Sequence, residues 1–172
     1  MPTHRSMSEA QTERIAAQFA KTLRGSEVLL LEGDLGAGKT AFTRGLAKGL
    51  GVRDRITSPT FVLMRVHELK NGERKDGAHD RSSPPSASPS VLRRFVHVDA
   101  YRVHHPRDLE AIGLLEYTGR PDAVVVIEWG ERVAALLRSV PTIRILFAIA
   151  PKNGRIITIT QRRVSARRQS SP

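Results

Sequence analysis

A three-layer α/β fold with a mixed, mainly parallel central sheet is predicted by three features of the sequence. Two runs, Val28-Leu29-Leu30-Leu31 and Ala123-Val124-Val125-Val126-Ile127, are apolar at every position, as central parallel strands buried on both faces require. The first leads directly into Gly33-Asp34-Leu35-Gly36-Ala37-Gly38-Lys39-Thr40, which satisfies G-x-x-x-x-G-K-[ST] and opens a helix-like segment. The second ends in Glu128-Trp129, an acid at the close of a buried strand.

Strand, loop and helix in that order make a phosphate-binding loop, the P-loop of nucleoside triphosphatases. Successive backbone N–H groups and a helix N-terminus converge where an anionic phosphate is favoured by hydrogen bonding and by the dipole. Lys39 is expected to reach the β- and γ-phosphates of a nucleotide, and the Thr40 hydroxyl to ligate Mg²⁺. Leu35, Gly36, Ala37 and Gly38 supply the backbone between them. Glu128 stands at the carboxyl end of its strand, where an acid can hold the metal or its water opposite the loop.

The chain has 172 residues, 40% of them hydrophobic, which fits one globular domain over 1–161. No apolar stretch approaches the roughly 18 to 20 residues of a membrane span, and Met1-Pro2-Thr3-His4-Arg5-Ser6 lacks the apolar core of a signal peptide. A cytoplasmic protein without membrane contact is expected. The absence of cysteine excludes disulfides, cysteine zinc sites and thiol catalysis together. The net charge of +11 is largely peripheral: segment 162–172 holds four arginines and no acid, and 71–94 holds five basic against three acidic residues. The basic tail, 162–172, reads as disordered, either a solubilising end or a source of weak, salt-sensitive RNA affinity.

Taken in order, Ser8-Glu9-Ala10-Gln11 reads as a capping box opening a helix whose apolar face is Ile15, Ala16, Phe19, Ala20 and Leu23, stopped at Gly25. The helix 40–50 after the loop closes at Gly49 and Gly51. Ile56-Thr57-Ser58-Pro59-Thr60-Phe61 reads first as a turn shaped by Pro59 before a strand at 61–66. Its hydroxyls, Thr60 among them, are able in a second reading to reach Mg²⁺ or a terminal phosphate. Segment 71–92, rich in Ser, Pro and Gly, cannot bury enough surface to order itself and reads as a disordered insertion between antiparallel strands. Phe95-Val96-His97-Val98 resumes the sheet and ends at Asp99. Residues 108–117 and 131–137 look helical, and 142–149 and 155–161 form a hairpin around Pro151-Lys152-Asn153-Gly154, with Asn-Gly as its strongest signal. The histidines, His97 among them, lack ligand spacing and read as packing or surface residues.

Gly33 to Thr40, Ser58-Pro59-Thr60-Phe61, His97-Val98-Asp99-Ala100-Tyr101-Arg102, Asp108-Leu109-Glu110-Ala111-Ile112-Gly113 and Val126-Ile127-Glu128-Trp129 stand in an order and spacing that resembles the TsaE family. That family comprises the bacterial P-loop ATPases of tRNA threonylcarbamoyladenosine biosynthesis, and the resemblance spans roughly residues 8–150. It implies a Mg²⁺-dependent ATP hydrolase working with TsaD and TsaB to modify tRNAs that read codons starting with A. It further implies that Leu35 to Thr40 bind the nucleotide, that Thr40 and Glu128 hold Mg²⁺, and that Asp99 is a second acid beside the γ-phosphate and metal. Lys39, Asp99 and Glu128 are then the catalytic set, Trp129 is the aromatic beside the acid, and Glu9 and Thr12 lie near the base. The insertion 71–92 and the basic tail depart from the family pattern.

With no arginine evident beside the phosphates, hydrolysis by the isolated chain is expected to be slow. Two other function classes fit the loop: a P-loop small-molecule kinase, which needs an acceptor pocket and a basic lid, and a nucleotide-gated RNA-binding module using the tail. A phosphorylated product separates the first from an ATPase, and deletion of the tail tests the second.

Overall fold

The computed structural model describes residues 2–59, 62–69, 92–103, 105 and 107–162. Thr60 and Phe61, the insertion except Leu92, and the tail beyond Arg162 lie outside the described residues. One seven-stranded sheet is formed by β1 (Thr3–Ser6), β2 (Val28–Glu32), β3 (Met64–Glu68), β4 (Arg94–Asp99), β5 (Ala123–Glu128), β6 (Thr142–Ala150) and β7 (Gly154–Arg162). Their order across the sheet is β1-β7-β6-β2-β5-β4-β3.

The two all-apolar runs occupy the middle. β2 pairs in parallel with both β5 and β6, and β5 pairs in parallel with β4, so every residue of β2 and β5 is buried. Parallel pairing is confined to this centre. The remaining pairings, β3 with β4, β6 with β7 and β1 with β7, are antiparallel, so half of the six pairings have each sense.

Helices α1 (Glu9–Ala20) and α2 (Lys39–Leu50) cover one face. That face is filled by Leu29, Leu31, Phe42, Leu46, Phe95 and Val126, with Leu92 packed against them. The other face buries Leu30, Val96, Val98, Ile127, Leu109 and Leu137 under α3 (Arg107–Ala111) and two 3₁₀ turns, Leu114–Glu116 and Gly130–Arg132. No helix among the described residues is long and apolar enough to cross a membrane.

Ser8 caps α1 as expected, its Oγ accepting from Gln11 N at 3.2 Å, while Gln11 Oε1 reaches one residue past the cap and accepts from Met7 N at 2.9 Å. α1 ends at Ala20, short of Gly25. Three further expectations are corrected. The helix expected over 108–117 breaks at Gly113, whose φ of 76° ends it, and resumes only as a 3₁₀ turn. The helix expected over 131–137 is a single 3₁₀ turn followed by i→i+3 turns, with Val133 and Leu137 buried. The strand expected at 61–66 starts later, at Met64, because Leu63 takes a φ of 61°. The β6–β7 hairpin turns over Pro151-Lys152-Asn153-Gly154 as expected, with Lys152 and Asn153 left-handed and Gly154 N donating to the Pro151 carbonyl at 3.2 Å. β7 continues through Arg162, one residue into the segment read as tail, and β1 was not legible at all in the polar Thr3-His4-Arg5-Ser6.

Candidate active site

Parallel pairing brings the carboxyl ends of β2, β4 and β5 to one edge of the sheet. β2 delivers the loop 33–38, and the register sets Asp99 directly beside Glu128. A cavity of about 460 Å³ opens there, walled by Glu9, Leu35, Lys39, Thr40, Asp99 and Trp129. At Gly33, with φ of 143°, a Cβ would stand 2.5 Å from the Phe147 carbonyl oxygen, so the turn out of β2 requires glycine.

Lys39 is 5% exposed. Its ammonium donates to the carbonyls of Gly33 at 2.6 Å and Asp34 at 2.8 Å and lies 3.5 Å above the centre of the Trp129 ring. Burial pushes its pKa below the ordinary lysine value, while Glu128, Glu131, Asp99 and Asp34 pull it back up. Trp129 is held in the left-handed region at φ 62°, against Tyr101 at 5.0 Å between ring centres. Non-glycine residues persist there only where their surroundings hold them, and such positions cluster at functional sites.

The two acids are buried and fully engaged. Glu128 Oε2 accepts the Thr40 hydroxyl at 2.7 Å, and Glu128 Oε1 lies 2.8 Å from His97 Nε2 and 3.3 Å from Thr43 Oγ1. Asp99 accepts from the Ser58 hydroxyl and, at 2.9 Å, from the Tyr101 backbone N–H. The Thr40 hydroxyl commits its proton to Glu128, which leaves its lone pairs for a cation. Among the described residues, no group of three or more His, Asp or Glu side chains is arranged to hold a metal ion by itself. One hydroxyl and two carboxylates form a hard, all-oxygen donor set, the kind that suits Mg²⁺ when phosphate and water oxygens complete its shell.

Of the residues marked in the sequence, Leu35, Gly36, Gly38, Lys39, Thr40, Glu9, Asp99 and Trp129 line the cavity, and Glu128 lies behind Thr40. Leu35 is exposed, whereas the Ala37 side chain is buried in the core. Thr12 is the exception: its hydroxyl is buried against Ser6 Oγ at 2.8 Å, on the protein side of the loop. Thr60 lies outside the described residues.

Sequence reasoning missed Arg44, Tyr101 and Arg155, which share the cavity wall, so the expectation that no arginine stands beside the phosphate loop is corrected. Arg44 forms ion pairs with Glu9 and Glu13. Arg155 comes from β7, and its Nε is buried without a hydrogen-bond partner; its Cδ and Nε stand 3.0 Å from where a Cβ on Gly38 would be. The sheet order alone brings β7 back past the loop, so no local signal marks this arginine. His97, read as a packing or surface residue, is fully buried and bonded to Glu128.

Three comparisons place the chain among known proteins. Residues 6–157 match the family model described as threonylcarbamoyl adenosine biosynthesis protein TsaE. The chain is similar to the tRNA threonylcarbamoyladenosine biosynthesis protein TsaE of Streptomyces coelicolor, 43% identical over 68% of this chain and 66%, just under two thirds, of that relative. It is also similar to the protein of the same name from Treponema pallidum, 35% identical over 90% of this chain and 96% of that one. The crystal structure of Bacillus subtilis YdiB superposes with a TM-score of 0.64 at 29% identity, covering 93% of this chain and 84% of that one. The chain belongs to the TsaE family, whose named role is the biosynthesis of threonylcarbamoyladenosine.

Proposed function

We propose that this chain is a cytoplasmic Mg²⁺-dependent ATPase required for threonylcarbamoyladenosine modification of tRNAs reading codons that start with A, working with TsaD and TsaB. The observation that carries the reading is the Thr40–Glu128 hydrogen bond, which ties the loop hydroxyl to the acid of the neighbouring strand beside Lys39 and Asp99. That constellation is what hydrolysis of a nucleoside triphosphate asks of a P-loop protein.

In this reading Lys39 exchanges the Gly33 and Asp34 carbonyls for β- and γ-phosphate oxygens. Thr40 offers its lone pairs to Mg²⁺ while its proton stays on Glu128. Mg²⁺, if held by Thr40 and the acids, would supply neutralisation of the phosphate charge. Asp99, fixed by Ser58 and the Tyr101 N–H, orients the water that attacks the γ-phosphorus as the bond to the bridging β-oxygen breaks. Trp129 covers the loop, Glu9 and Arg44 close the cavity on the α1 side, and Arg155 brings a cation beside Gly38. Any tRNA contact is indirect, or weak and through the basic tail.

Steady-state phosphate release, measured on the complete chain alone and with TsaB–TsaD, tests this. The expected result is slow turnover alone, stimulation by the partners, loss of the stimulated rate in Glu128→Ala and Asp99→Ala, and no phosphorylated small molecule. Full speed without partners, or unaltered turnover in both acid variants, overturns the mechanism.

A further inference from the structure

We propose that His97 is a positioning residue that fixes the Glu128 carboxylate by donating a hydrogen bond from Nε2, so that Thr40 and Glu128 are set for Mg²⁺ before nucleotide arrives. The inference rests on the nucleotide reading above and adds a residue to it.

Three observations carry it. First, β4 places His97 two residues before Asp99 on the same face, under α2, and its register with Val126 brings the ring diagonally to Glu128. The ring is fully buried, and Nε2 lies 2.8 Å from Glu128 Oε1.

Second, the donors around Glu128 can be counted. Thr40 gives its one proton to Oε2. Thr43 has one proton and two acceptors within reach, the Lys39 carbonyl at 3.1 Å and Oε1 at 3.3 Å. His97 Nε2–H is therefore the short, undivided donor to Oε1, and without it Oε1 keeps only the longer bond from Thr43, whose one proton is shared with the Lys39 carbonyl.

Third, His97 Nδ1 is buried with no hydrogen-bond partner among the described residues. A buried donor left unmade is costly, so a proton on Nδ1 is disfavoured and the ring is the tautomer with its hydrogen on Nε2. A bare acceptor nitrogen is the lesser penalty where the other nitrogen donates to a charged partner. Partners behind a metal site act in this way, setting the orientation and basicity of the groups that meet the ion, and their loss typically weakens metal affinity about 10- to 100-fold.

The test uses Trp129, the only tryptophan in the chain, as a fluorescence reporter. Mg²⁺ is titrated into the complete chain at fixed ATP, and ATP is titrated separately in EDTA. The chains compared are the parent, His97→Phe, His97→Gln and His97→Asn. His97→Phe keeps the ring volume without a donor; Gln carries its amide nitrogen near the Nε2 position, and Asn near Nδ1. His97→Phe and His97→Asn are expected to need about 10- to 100-fold more Mg²⁺ for half-saturation, with Mg²⁺-free ATP affinity within about twofold of the parent. His97→Gln is expected to recover most of the loss. If His97→Phe does not fold, the contrast between Gln and Asn still decides.

Parent-like Mg²⁺ dependence in a folded His97→Phe, equal behaviour of Gln and Asn, or loss of Mg²⁺-dependent and Mg²⁺-free binding in the same proportion overturns the assignment. A parent chain that shows no Mg²⁺ response overturns the nucleotide reading, and this inference with it.

Discussion

α1 and α2 meet across two glycines of α2, and replacing the first with alanine sets two effects against each other. At Gly45 an added Cβ would stand 2.3 Å from the Glu13 carbonyl oxygen and 2.7 Å from Ala16 Cβ; at Gly49 the corresponding distances are 2.6 Å to the Ala17 oxygen and 2.7 Å to Ala20 Cβ. Carbon atoms pack best at about 3.5–4.0 Å, so α1 must retreat by about 1 Å. In an isolated helix Gly→Ala stabilises by about 1 kcal/mol, whereas overpacking costs about 1–3 kcal/mol. The obstacle at Gly45 is backbone on the neighbouring helix, which no rotamer change relieves, so the cost belongs at the upper end. Gly45→Ala is therefore expected to lose about 1–2 kcal/mol, a fall in Tm of roughly 2–8 °C for a chain of this size. The displacement also draws Glu9 on α1 from Arg44 on α2, both in the cavity wall. ATP affinity should fall with it. Thermal unfolding followed by far-UV circular dichroism, together with an ATP titration, decides the matter; a variant melting at or above the parent temperature refutes the close approach.

Lys39→Ala is expected to abolish ATP binding in calorimetry while the chain stays folded, because Lys39 contributes charge and not apolar packing; parent-like affinity sinks the loop assignment. The Lys39 pKa is lowered in the fold, so between its folded value and 10.5 the unfolded chain binds the extra proton and stability rises with pH across that window. Below the window the penalty for the buried charge is fully present. Lys39→Met should lack this alkaline rise in pH-dependent urea unfolding, and identical pH profiles for the two chains contradict it. Ser8→Ala removes the side-chain acceptor for Gln11 N at the start of α1 and should cost about 0.5–2 kcal/mol in the same assay.

What the sequence made legible follows from how local each signal is. Central strands declare themselves because both faces are buried, so β2 and β5 read as unbroken apolar runs, and the loop between β2 and α2 carries its chemistry in eight consecutive residues. The edge is different. β1 is four residues with one buried side chain, and its partner β7 lies more than 140 positions further along the chain. Periodicity reports burial rather than hydrogen bonding, which is why 131–137, with Val133 and Leu137 buried, reads as a helix although it forms only a 3₁₀ turn and i→i+3 turns. Glu128 and Asp99 stood out as strand ends, whereas Arg155 and His97 acquire their places only from strand order and register. Thr12 shows the converse: proximity to the loop in space did not bring its hydroxyl into the cavity.

The resting position of Lys39 has a consequence for selectivity. An ammonium has three protons to give, and here two carbonyls and an aromatic face already absorb its charge. A small anion arriving alone must displace that arrangement with a single contact and recovers little. A polyphosphate meets the lysine, the loop amides and the first turn of α2 at once. In the proposed nucleotide reading, the closed lysine would act as a threshold, favouring ligands long enough to make several contacts together over single small anions.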